Sequence, residues 1–381
     1  MDIKVQNNTF LFYDIIKIYS YEHLPFGIFK KNDSNLAKLT GLYKWWSSRL
    51  IPDNRLNIRH ILDEFGVSSI SQIAIKSFGL SLIDHYWVKP KNSDLKWQNI
   101  NFYDNPFSEE ANNVFLVTGS GNRRFKNQGE ILGIKTPDST TGGALIKKWT
   151  NIDGIPCLCK FGHGFILQDT ANETIASLIL DKLRLDHVQY SLKFFKKEPM
   201  SVCPNFLTKN TELISAEWML RGLSEGSDQY NYDNFVLILN KLGLTKAKAR
   251  LDDMLAFDYL IGNTDRHRNN FGIIRDSNTL EPLDLAPIFD NGASFWLDIR
   301  DHDDIPLIND IRCFPFADYH SEQIKFITDF SRINLKSITD MENDFYNIYN
   351  KLINFPSKRI EAIYNGFKKR IKLLEKIIEN T

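Results

Sequence analysis

The stretch Leu260 to Asp276 reads L-I-G-N-T-D-R-H-R-N-N-F-G-I-I-R-D, and the fifteen residues after it end L-A-P-I-F-D-N at Asn291. It carries Asp265, Asn270 and, at the end of a second apolar run, Asp290, with His267 inside the first loop. Transfer of a phosphoryl group from a nucleotide requires a set of this kind. One carboxylate positions the nucleophile and takes its proton, while an amide oxygen and a second carboxylate hold Mg²⁺ against the phosphates.

The step from Asp265 to Asn270 is also the step from catalytic Asp to metal-binding Asn in a protein-kinase catalytic loop. I-G-N-T-D-R-H-R-N-N-F followed by L-A-P-I-F-D resembles the catalytic and metal-binding loops of the HipA-like bacterial serine/threonine kinases, the toxin components of certain toxin–antitoxin systems. The resemblance implies a catalytic role for Asp265 and Mg²⁺ ligation by Asn270 and Asp290. It covers the C-terminal two-thirds of the chain. D-R-H-x-x-N also occurs in phosphoinositide kinases, so the motif fixes a kinase-like fold better than the phosphate acceptor.

A plainer reading is that Asn263-Thr264-Asp265 is a turn and cap after the apolar helix Met254 to Ile261. The order and spacing of the three polar groups favour the site reading. His267 either orients Asp265 or is a satisfied core histidine, and Arg266 and Arg268 are candidates for neutralising phosphate charge.

The chain has 381 residues, 43% hydrophobic and 13% aromatic, enough for a large core and not the composition of a disordered chain. Lys plus Arg and Asp plus Glu balance at 47 each, so no global field draws the protein to nucleic acid or an anionic membrane. Its four cysteines, 157, 159, 203 and 313, form no C-x-x-C pair, and neither a signal sequence nor an apolar run of membrane-spanning length is evident. A cytoplasmic protein is expected.

Helical spacing predicts helices over Asn35 to Leu50, Ile58 to Phe65 and Ile70 to Phe78. The last two, around Gly66-Val67-Ser68, have the look of a helix-turn-helix, but the second offers mainly Ser69, Ser71, Gln72 and Lys76, with no Arg to fork onto a guanine. A packed helical hairpin is the favoured reading. Trp87, Trp97, Phe102, Tyr103 and Phe107 then read as a docking core that joins this extension to the kinase-like lobes.

A β-rich N-lobe is expected from about Asn113, with strands at Val114 to Val117 and Glu130 to Ile134 around a Gly-Ser-Gly turn. In Ser139-Thr-Thr-Gly-Gly-Ala-Leu145, Gly142 and Gly143 let backbone N–H groups approach phosphate oxygens, with Ala144 beside them. The HipA-like family commonly has G-A-Q where this chain has Gly143-Ala144-Leu145. The resemblance also makes Ser139, Thr140 and Thr141 candidates, by position, for the autophosphorylation that ejects this loop in the family. Lys160, late in the strand Ile155 to Phe161, sits where a kinase keeps its phosphate-pairing cation, and Glu173 resembles the glutamate that pairs with it. T-A-N-E from Thr170 to Glu173 also spells a capping box.

Val188 to Phe195 is predicted as a further strand and Pro199 to Leu207 as the joint between lobes, with adenine-binding backbone groups sought among Val202 to Asn205. Helices are expected at Phe235 to Leu242, Ala249 to Ile261, from Ser321 onward, and at Lys358 to Glu379, with short strands at Phe271 to Arg275 and Glu281 to Phe289.

Together these patterns predict an α+β, bilobal, protein-kinase-like fold: a mainly helical N-terminal extension (1–112), a small β-rich N-lobe (113–207) and a helical C-lobe (208–381). The implied function is ATP- and Mg²⁺-dependent phosphorylation of a protein serine or threonine, with an antitoxin protein as a further partner and neither direct DNA binding nor membrane association. Two alternatives stay open: a lipid or small-molecule kinase, and a non-catalytic DNA-binding or regulatory protein using residues 58–78.

Overall fold

The computed structural model describes residues 1–6, 12–55, 57–105, 107, 136–143, 145–163, 166–223, 230–308 and 310–380. The strands expected at Val114 to Val117 and Glu130 to Ile134, the Gly-Ser-Gly turn, the proposed N-lobe start and Ala144 lie outside the described residues.

The chain begins with an antiparallel hairpin of β1 (Asp2–Val5) and β2 (Phe12–Lys17), followed by α1 (Asn35–Arg49), α2 (Ile58–Phe65) and α3 (Ile70–Lys76). The Ser34 side chain caps α1 by accepting the Ala37 N–H at 3.2 Å. Leu42, Trp45 and Trp46 on its buried side pack with Phe12, Leu24 and Ile28. Between α2 and α3, Gly66 takes a left-handed conformation (φ +60°) that reverses the chain. Ile61 and Phe65 then meet Ile70 and Ile73. This is the packed helical hairpin favoured from the sequence, and its apolar faces are spent on each other.

A four-stranded antiparallel sheet comes next, ordered β3 (Lys147–Ile152), β4 (Ile155–Phe161), β6 (Glu198–Pro204), β5 (Ser191–Phe195). The joint expected at Pro199 to Leu207 is therefore mostly strand: Val202 and Cys203 face Cys159 and Leu158 across the sheet, and the chain leaves it at Asn205. Strand β5 also starts three residues later than the apolar run suggested. Between β4 and β5 runs α4 (Gln168–Leu183), whose Ala171, Ile175 and Ile179 are fully buried. Because α4 starts at Gln168, Thr170 is not its N-cap.

A second antiparallel sheet pairs β7 (Thr211–Ser215), β8 (Gly272–Asp276) and β9 (Pro282–Leu285) in that order. Around it lie α5 (Ala216–Leu223), α6 (Tyr232–Lys241) and α7 (Ala247–Ile261). Every residue of α7 from Leu251 to Ile261 is buried, so it is the axis of the C-terminal half. The run expected to be helical from Ser321 is instead broken: a single turn α8 (His320–Gln323), two 3₁₀ turns, α9 (Glu342–Tyr349) and α10 (Ser357–Glu379). Ile327, Phe330 and Ile333 insert into the common core from irregular chain, which tertiary burial holds in place of helical hydrogen bonds. Among the described residues no helix is long and apolar enough to cross a membrane. The fold is α+β.

Candidate active site

Three segments converge on one cleft: the Gly142–Gly143 turn, the loop after α7, and the loop after β9. Lys147, His267, Asn270 and Asp290 stand on its walls with those glycines, around a volume of about 340 Å³. The far wall comes from the N-terminal part, through Phe26, Trp45 and Tyr86.

The loop after α7 is built by the helix terminus. Gly262, at φ +61°, takes the left-handed position that ends α7, and the Asn263 N–H returns to the Asp258 carbonyl at 3.0 Å. Asn263 Oδ1 then accepts the Asp265 N–H at 3.0 Å, while its carbonyl accepts from buried His320 Nε2 at 2.9 Å. Burial lowers the His320 pKa to about 3, so its ring is neutral and Nε2 carries the proton. Asp265 thereby stands on a fixed turn with its side chain exposed toward solvent. Burial of its surroundings and the nearby Asp290 raise its pKa against the opposing pull of His267 and Arg266. Asn270 donates its amide hydrogen to the Asp265 carbonyl at 3.0 Å, which leaves its oxygen free to act as a ligand.

Lys160 lies between two carboxylates, 3.0 Å from Glu173 Oε1 and 2.5 Å from Asp290 Oδ1. Burial opposes its charge, yet Asp290 and Glu173 more than offset that and keep its pKa well above the ordinary value. Burial likewise opposes ionisation of Asp290, but Lys160 and Lys147 hold its carboxyl well below the usual range. For Glu173 burial wins and the pKa rises. The second oxygen of Glu173 accepts the Asn291 N–H at 2.9 Å, so the same side chain fixes both the lysine and the residue after Asp290. Asp290 itself has φ +59°, an uncommon conformation for a residue with a side chain.

The arrangement fits a hard divalent cation. Asn270 Oδ1 and the Asp290 carboxylate are oxygen donors facing one cleft, and among the described residues no group of three or more His, Cys, Asp or Glu could hold a metal alone. Mg²⁺ is characteristically held by one or two protein oxygens together with waters and substrate phosphates.

The structure thus sets Gly142, Gly143, His267, Asn270 and Asp290 on the walls of one cleft, with Lys160 and Glu173 buried behind Asp290 and Asp265 on the loop beside it. Ser139, Thr140 and Thr141 are close by, but their hydroxyls are turned into the protein. Ser139 Oγ lies 2.6 Å from Ser77 Oγ, Thr140 donates to the Leu80 carbonyl at 2.6 Å, and Thr141 donates to the Pro137 carbonyl at 2.9 Å. Arg266 does not face the cleft as a phosphate counter-charge. It is fully buried and bonded to Asp258, to the carbonyls of Asn270 and Phe289, and to Asn291. Arg268 is engaged with Glu217 at 2.9 Å.

Sequence reasoning passed over Lys147, whose ammonium occupies the space a Cβ on Gly143 would need, 2.5 Å from that position. The requirement for glycine at 143 comes from its φ of +93°, since the Lys147 ammonium ends a flexible side chain that could shift. Burial, with the neighbouring Lys160, lowers the Lys147 pKa to about 8. Its place on the first strand after the glycines was the available signal.

Residues 139–313 match the HipA-like C-terminal domain. The serine/threonine-protein kinase CtkA of Helicobacter pylori strain J99 is 28% identical over 193 residues, which are 48% of this chain and 55% of that protein. The chain thus spans about half the length of this relative. Among solved structures, that of the Helicobacter pylori proinflammatory kinase CtkA gives a TM-score of 0.46 at 19% identity, covering 59% of this chain and 90% of that one. The HipA, HipB and operator DNA complex of Shewanella oneidensis MR-1 gives 0.49 at 11% identity, covering 98% and 94%. Over residues 139–313, a little under half of its length, this chain is similar to the HipA-like C-terminal domain.

Proposed function

We propose that the chain is an ATP- and Mg²⁺-dependent serine/threonine protein kinase of the HipA-like type. The observation that carries this reading is the Lys160 ammonium held between Glu173 and Asp290, the latter sharing a cleft wall with Asn270. A cation fixed at that point pairs with nucleotide phosphates, and the Asp290 carboxylate and Asn270 amide oxygen would hold Mg²⁺ in the same cleft. In this scheme Asp265 accepts the proton of the acceptor hydroxyl, a role favoured by the burial that raises its pKa above the ordinary carboxylate value. His267, on the same turn, steadies the loop through the Asn269 N–H that its ring accepts at 3.2 Å. When bound, Mg²⁺ would supply positive charge against that developing on the transferred phosphoryl group.

Self-phosphorylation at Ser139, Thr140 or Thr141 would then require the loop to detach, since the three hydroxyls are buried as it stands. By analogy with the family, the chain acts within a toxin–antitoxin system in the cytoplasm, opposed by a partner protein.

The test is mass spectrometry of intact protein and peptides from wild type and Asp290→Asn, each incubated with Mg²⁺ and ATP. Phosphate appearing on the loop in wild type alone supports the reading. Absence of phosphate from wild type, of transfer to any added protein, and of any rise in melting temperature with Mg–ATP overturns it.

A further inference from the structure

Arg55 comes from the N-terminal part, three residues before α2, and is 1% exposed. It is spent on the glycine turn. Nη2 donates to the carbonyls of Thr141 at 2.6 Å and Gly143 at 2.8 Å, and Nε to Gly143 again at 3.2 Å. The remaining nitrogen, Nη1, is buried without a hydrogen-bond partner. No carboxylate among the described residues forms an ion pair with it. Burial lowers its pKa to about 10, with Asp138 attracting it from longer range, so it stays charged at neutral pH. A buried guanidinium without a counter-ion is costly. Two backbone carbonyls of one loop are what it holds in return.

Peptide geometry supplies the consequence. In a trans peptide the carbonyl and the following N–H point in opposite directions. Turning the Thr141 carbonyl toward Arg55 therefore turns the Gly142 N–H away from it. Gly142, Gly143 and Lys147 stand on the cleft wall with Asn270 and Asp290, whereas Arg55 does not reach that wall. Among the described residues the Gly142 N–H has no acceptor. A free amide beside an ammonium and next to a cation site is the chemistry that receives a phosphate oxygen.

We propose that Arg55 is a positioning residue: from the N-terminal part, it aims the Gly142 amide at the polyphosphate of a bound nucleoside triphosphate without touching the nucleotide. The N-terminal part is by this account a working piece of the nucleotide site. The inference rests on the nucleotide-binding reading above.

The test uses the full chain as wild type, Arg55→Lys and Arg55→Met. Affinities for Mg–ATP and for adenosine are measured by competition against a fluorescent adenine nucleotide. Arg55→Lys keeps the charge but loses the two-pronged fork, and it carries the comparison should Arg55→Met not fold. The expected result is a loss of tenfold or more in ATP affinity, with adenosine affinity within twofold of wild type and a raised KM for ATP at a nearly constant kcat. ATP affinity within twofold of wild type, or an equal loss for ATP and adenosine, overturns the proposal, the second by reducing Arg55 to a support of the fold. A wild type that binds neither ligand overturns the kinase reading itself, and this proposal with it.

Discussion

Arg266 and Asp258 form a two-pronged ion pair closed to solvent, Nε to Oδ2 and Nη2 to Oδ1, each at 2.9 Å. The same guanidinium also binds the carbonyls of Asn270 and Phe289, so one side chain pins the loop of Asp265 to the loop of Asp290. Removing it leaves Asp258 buried and uncompensated. Arg266→Met is expected to cost about 3–5 kcal/mol of stability, measured by urea unfolding. The double variant Arg266→Met/Asp258→Leu should recover much of that stability and none of the phosphoryl-transfer activity, because the loops stay unpinned.

Lys160→Met strands Glu173, whose side chain is 3% exposed. The expected outcome is a lower melting temperature together with loss of Mg–ATP binding. Adding Glu173→Gln should restore melting temperature without restoring binding. Thermal scans with and without nucleotide separate the two effects.

On the proposed reading, in which Asn270 holds Mg²⁺, removing its oxygen should lower the rate by about 10²–10³-fold. For Asn270→Ala the remaining activity is expected to need more Mg²⁺ for half-saturation than wild type does. Initial rates across a Mg²⁺ titration at fixed ATP check this. An unchanged Mg²⁺ requirement would remove Asn270 from the metal site.

The loop beside the glycines carries its own pH dependence. Asp138 is fully buried, one oxygen accepting the Trp149 N–H at 2.6 Å and the other unpartnered. Burial raises its pKa to about 8 from the ordinary 3.8. Between those values the folded state binds a proton that the unfolded state has released, so this group's contribution to stability falls as pH rises through the window. Asp138→Asn, which stays neutral, should flatten the decline in melting temperature between pH 5 and about 8.

The placement of Asn270 and Asp290 on one cleft, with Asp265 on the adjoining loop, was legible because the three belong to short local motifs, and the glycine that ends α7 fixes the turn on which Asp265 stands. Helix α2 and strand β4 were legible to the residue, since each fills one uninterrupted apolar pattern. What escaped was long-range. Arg266 reads as a surface arginine in a polar loop, and only the buried Asp258 on the preceding helix makes it a staple. Arg55 shows no pattern at all in its own neighbourhood, because its partners are backbone carbonyls 86 and 88 positions away. Ser139 to Thr141 read as an open hydroxyl-rich turn, and the surface that covers them comes from the far side of the aromatic segment.

The contacts of Ser77, Leu80 and Arg55 with the glycine turn also bear on synthesis. A ribosome releases the N-terminal part first, and domains tend to fold as units in that order. The residues of the receiving surface are thus made before the turn emerges, and later segments, among them Trp218, then complete the same N-terminal core. A fragment beginning after the aromatic segment would present the same glycines with nothing to shape them.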